Sequence, residues 1–144
     1  MTMLRRMVLA LVLMEMIGTA AELVLLGHFE SAWQVAPLAV IAIALLALAW
    51  YGVTRSAGSI RCLRIVMVLS IATALVGLVL HYQGNAEFQL DIDPSLSGPA
   101  LWWKVMRAKT PPAPAPGAMA HVGLLGLAYT YRHPSLNQSI ETTQ

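Results

Sequence analysis

Two glutamates, Glu15 and Glu22, stand inside an otherwise apolar run that reaches from about Met7 to Leu26. They are seven residues apart, about two helical turns, so their carboxyls share a face with Thr19 between them. Ionisable groups in so apolar a stretch cost about a few kcal/mol each unless neutralised or bonded. Two chemistries answer that cost. One is a proton or cation site, or a stripe that meets a partner; the other is an interior polar seam of protonated or hydrogen-bonded carboxyls.

A second constellation consists of histidines and acids. His28 and Glu30 close the first apolar segment, His81 closes the third, Glu87 follows in HYQGNAEF, and His121 lies in the first turns of the fourth. Imidazole ligates transition metals and haem iron, so convergence of His28, His81 and His121, with Glu30 and Glu87 nearby, would make a metal or haem site. No HxH, HExxH or CxxCH spacing fixes that convergence, and hydrogen-bonded interfacial histidines are the competing reading.

The remaining chemistry is sparse. Asp91 and Asp93 alternate, which on an extended strand puts both carboxylates on one side, but no further oxygen ligands or turn glycine complete a calcium loop. The single Cys62 excludes an internal disulfide and any CxxC motif, and it lies beside Arg61 and Arg64 as a reduced thiol. The eight methionines form no MxxM cluster and read as apolar filler. Phosphate-loop and GxSxG motifs are absent, so the sequence leans away from an enzyme, names no cofactor, and leaves only the Glu87–Asp93 stretch as a surface for catalysis.

The elements that would position these residues follow from composition. The 144 residues are 58% hydrophobic and 11% charged, too little charge to cover a water-facing surface. The expected solvent is the lipid bilayer. Four segments approach the roughly 20 apolar residues that cross a membrane: about 7–26, 35–53, 63–81 and 115–131, the last being the shortest and richest in glycine. Glu15 and Glu22 also argue against reading the first as a cleaved signal peptide. The expectation is one integral membrane domain over 1–144, an all-α four-helix transmembrane bundle.

Basic residues set the expected orientation. Arg5 and Arg6 precede the first helix, Arg55, Arg61 and Arg64 lie between the second and third, and Arg132 follows the fourth, whereas the turn at 28–34 has neither Lys nor Arg. Retention of cations in the cytoplasm puts both termini inside. The nine basic residues form no continuous stripe, which excludes a nucleic-acid partner. An outer loop is expected over about 82–114. Within it Ser97 and Pro99 suit a helix start, and Leu101, Trp102, Val105 and Met106 share a face while Lys104, Arg107 and Lys109 reach for water. This predicts a short interfacial amphipathic helix anchored by Trp102, Trp103, Lys104 and Arg107. TPPAPAP then forms a stiff spacer, and 132–144 reads as a polar tail.

Gly117, Ala120, Gly123 and Gly126 follow helical spacing in the fourth segment, and Ala72, Ala74 and Gly77 thin the third. Small faces let backbones approach in lipid, so these helices should touch each other or another subunit. At HYQGNAEF and GLLGLAYTYRHP the chain resembles small integral membrane proteins of bacteria for which no activity is established. The likeness extends to the GHFE end of the first helix and the Tyr-Arg-His-Pro exit of the last; it implies a bacterial inner membrane and supplies no catalytic residues. The first functional reading is an accessory subunit that associates with itself or a larger membrane complex. The alternative is a module that binds or transports a metal ion, haem, quinone or proton through the histidines and the helix-one glutamates.

Overall fold

The computed structural model describes residues 3–108 and 114–136, and within them the chain is all helical. Helix α1 spans Met3–Leu25, α2 Ala32–Thr54, α3 Ala57–Ile92, α4 Gly98–Met106 and α5 Pro114–Thr130, followed by a 3₁₀ turn at Pro134–Leu136. The first three are long and apolar enough to cross a membrane. Helix α5, with 17 residues, is about 26 Å long, slightly short of the roughly 30 Å hydrocarbon layer.

Local signals in the sequence set the helix ends. Gly27 takes a positive φ of 64°, the His28 N–H reaches back to the Leu23 carbonyl at 2.8 Å, and α1 stops in a Schellman-type cap. Ser31 and Gln34 then form a capping box that starts α2: the Gln34 N–H donates to Ser31 Oγ at 3.4 Å, and the Ser31 N–H to Gln34 Oε1 at 3.2 Å. Only Arg55 and Ser56 separate α2 from α3. Arg55 adopts the left-handed conformation (φ 51°), its guanidinium lying 5.1 Å from the centre of the Tyr51 ring, and Ser56 caps α3 by accepting from the Ser59 N–H. So short a connection forces antiparallel neighbours.

Helix α3 is the centre of the packing. It touches α2, α4 and α5, while α1 lies mainly on α5 and only lightly on α2. Helix α5 runs antiparallel to α3: Pro116 faces Gly77, Gly123 faces Met67 and Ile71, and the Thr130 carbonyl receives Arg64 at 2.8 Å. A Cβ on Gly123 would come within 2.5 Å of Ile71 and 2.7 Å of the Met67 carbonyl oxygen, and one on Gly126 would overlap the Met67 side chain. The glycines therefore let two backbones approach, as their spacing predicted. Ala120 packs beside this core, whereas Gly117 faces open space. Met16, Ile60, Leu63, Met67, Val122 and Tyr129 fill the interior.

Three expectations need correction. The helix expected to end at His81 continues to Ile92, so 82–92 is helix rather than loop; its 36 residues extend about 54 Å. Polar residues after His81 change the solvent a helix meets more than its backbone preference, and Gln83, Ala86, Glu87, Gln89 and Leu90 supply good helix formers within the stretch. Asp91 therefore sits in the last turn of α3 and Asp93 caps it, so no strand aligns them. Within the expected polar tail His133 and Ser135 are buried, and 137–144 lie outside the described residues.

Helix α4 forms where Ser97 and Pro99 predicted, although the Ser97 side chain makes no capping bond. Val105 is its buried contact; Trp102 and Trp103 stay half exposed, and Arg107 lies over Trp103 at 5.3 Å. Lys104 Nζ reaches Asp93 Oδ2 at 3.8 Å. Hydrogen bonds from the Ser95 hydroxyl and N–H hold the Asp93 carboxyl below its usual range, with Lys104 adding to the effect. Lys109 lies outside the described residues.

Candidate functional site

The Schellman turn carries His28 out of α1 and across to α3, where its ring stacks on His81 with centroids 5.9 Å apart and planes 17° from parallel. Below them opens a cavity of about 270 Å³ between α1, α2, α3 and α5. Leu23, Pro37, Ala74, Leu80 and Met119 form its apolar walls, while Ser31, Gln34 and Thr73 add polar atoms to the two imidazoles. Among the described residues, no Asp, Glu, Lys or Arg lines it. Pro37 has no N–H to offer the Trp33 carbonyl one turn earlier, which leaves an acceptor on the α2 wall.

Two of the three histidines singled out from sequence thus meet, and the third does not join them. His121 does not line the cavity; its Nδ1 lies 3.5 Å from Glu15 Oε1, about 15 Å along α1 before that helix ends. This contact sits near the midpoints of α1 and α5 and on their outside, the His121 side chain being 72% exposed. Glu15 Oε2 is buried without a hydrogen-bond partner. Helical geometry sorts the polar stripe: relative to Glu15, Thr19 is turned about 40° inward and Glu22 about 20° the other way. Accordingly Thr19 is buried and Glu22 exposed.

The acids expected near the histidines stay apart. Glu30 is exposed, its backbone N–H donating to Gln34 Oε1 at 2.8 Å, and Glu87 is exposed on the projecting part of α3. Among the described residues, no three His, Cys, Asp or Glu side chains are grouped to hold a metal ion. No family model, curated protein or solved structure matches the chain. The site must therefore be read from its own geometry.

At the opposite end lies a cluster that sequence reasoning missed. His133 is 2% exposed, and its Nδ1 accepts from the Ser135 N–H at 3.3 Å. That bond fixes the neutral tautomer with its proton on Nε2, which faces the Tyr51 hydroxyl at 3.3 Å. Tyr129 packs against both rings. Burial pushes the His133 imidazole below its usual range, and the Arg5 and Arg55 cations push it further. Arg5 donates to the carbonyls of Tyr131 (3.0 Å) and Arg132 (2.9 Å), closing the exposed end of α5. The YRHP exit was a visible signal. Nothing in its spacing, however, said that the following turn would fold back onto α3.

Proposed function

We propose that this chain is a four-helix protein of the bacterial inner membrane, with both termini in the cytoplasm, that serves as an accessory subunit docking sideways on another membrane-spanning helix. The observation that carries this reading is the Glu15–His121 contact near the middle of both helices: an exposed His121 beside a part-buried Glu15, one of whose carboxyl oxygens has no hydrogen-bond partner. Facing hydrocarbon, each would cost about a few kcal/mol. A neighbouring helix with a polar side chain, from a larger complex or a second copy, removes much of that cost. Glu22, exposed two turns along the same flank, extends the stripe.

Orientation is supported by the cations. Arg5 and Arg64 donate to the 130–132 carbonyls, Arg55 lies over Tyr51 and Arg132 over Tyr131, so the four gather at one end, the arrangement that positive-inside retention favours. The α4 tryptophans suit a headgroup layer on the other side.

The test is a photo-crosslinking amino acid at Leu124, exposed about one turn beyond His121, and at Val79, an exposed position on α3. In native membranes, Leu124 should give a discrete adduct that Val79 does not, and Glu15→Leu with His121→Leu should abolish it. An adduct of twice the chain mass identifies a second copy. Equal labelling from both positions, or an adduct indifferent to the double substitution, contradicts lateral docking here.

A further inference from the structure

The cavity beneath His28 and His81 is separate from the flank that carries the proposed docking. Among the described residues its lining holds no formal charge to balance a phosphate or carboxylate, and no group of three ligating side chains for a metal ion. Its polar atoms stand on two walls: His28, Ser31 and Gln34 at the α1–α2 turn, His81 and Thr73 on α3. A neutral imidazole offers one N–H donor and one acceptor. The Thr73 hydroxyl offers less, since it already donates to the Leu69 carbonyl at 2.9 Å, while Ser31 Oγ accepts from the Gln34 N–H and keeps its own O–H to donate.

Size narrows the ligand. An apolar cavity of about 150 Å³ takes a benzene ring, so about 270 Å³ accommodates a substituted one- or two-ring head with the start of a tail. The ligand lies beside the imidazoles rather than between them, because a third ring would need about 7 Å, twice the van der Waals separation, and the centroids are 5.9 Å apart. Its walls come from α1, α2 and α3, each long and apolar enough to cross a membrane, and from the start of α5.

We propose that this cavity binds a neutral, ring-headed lipophile of the quinone class, its ring against Leu23, Ala74 and Met119 and its carbonyl oxygens accepting from the His28 and His81 imidazoles. The two histidines serve as paired donors from two helices, matching two carbonyls on one ring. The apolar walls contribute affinity by burying the ring, and the described lining offers no charge to pair with a phospholipid headgroup.

The experiment uses the full chain in detergent at pH 7.5, with menadione as the probe and diethyl pyrocarbonate as an imidazole label read by mass spectrometry. Menadione should protect His28 and His81 saturably and leave His121, which faces outward, unprotected. Two cavity-filling variants, Thr73→Phe and Leu80→Trp, should each raise the half-protecting concentration at least tenfold with unchanged elution and helicity. Leu80 is partly exposed, so its variant remains informative if Thr73→Phe misfolds. Protection of all three histidines alike would mean partition into the micelle and overturns the proposal. So does equal protection by decane, which fills apolar space without carbonyls, and so does protection that neither variant weakens.

Discussion

Gly123→Ala and Gly117→Ala make the same chemical change one and a half turns apart on α5, and the structure predicts opposite outcomes. Both remove a helical glycine, a gain of roughly 1 kcal/mol in helix propensity that cancels in the comparison. The new Cβ at Gly117 meets nothing within 4 Å, whereas at Gly123 it comes within 2.5 Å of Ile71 and 2.7 Å of the Met67 carbonyl oxygen. Ile71 can rotate. The carbonyl belongs to the α3 backbone and cannot move without shifting the helix, which places the cost in the upper part of the roughly 1–3 kcal/mol range for overpacking. Gly123→Ala should therefore be less stable than Gly117→Ala by about 2–3 kcal/mol, roughly 30- to 150-fold in the unfolding equilibrium. Unfolding in mixed micelles of increasing denaturing detergent, followed by circular dichroism, measures the difference. Gly123→Ala equal to or more stable than Gly117→Ala refutes the close α3–α5 approach.

Two further outcomes concern the Arg5 end. Folded His133 resists protonation while unfolded His133 takes a proton at its ordinary pKa near 6.5, so unfolding binds a proton as pH falls. Its contribution is thus complete above that pH and lost as pH falls through the depressed folded value; the unfolding midpoint should fall as pH drops below about 6.5, and His133→Phe should lessen the slope. An identical slope in the variant removes His133 as the cause. Arg5→Met removes both donors to the Tyr131 and Arg132 carbonyls. Discounted for solvent, that is about 1 kcal/mol, read as a roughly fivefold rise in hydrogen exchange over 131–136; unchanged exchange contradicts the staple.

How much was legible in the sequence depends on the kind of information each feature needs. Apolar runs and glycine spacing are local, so α1, α2, the close face at Gly123 and Gly126, and the start of α4 near Ser97 could be read directly. The end of α3 could not, because hydropathy marks where a helix leaves an apolar solvent rather than where it stops. The histidines illustrate the same limit. His28 and His81 meet because a Schellman turn aims one at the other, whereas His121, about two turns into α5, lies near that helix's midpoint rather than at its end. His133 shows a different gap: its burial depends on a 3₁₀ turn that returns to α3, a tertiary contact with no local signature.

The central claim, a membrane-spanning chain with both ends inside, is tested most directly by reporter fusions along the full sequence. Alkaline phosphatase fused after Asp93 should be active, and fused after Thr54 or Leu136 inactive, with a fluorescent cytoplasmic reporter giving the complementary pattern. The reverse pattern at all three positions would invert every surface assigned to the two sides. Activity at none, with the protein recovered in the soluble fraction, would contradict membrane insertion itself.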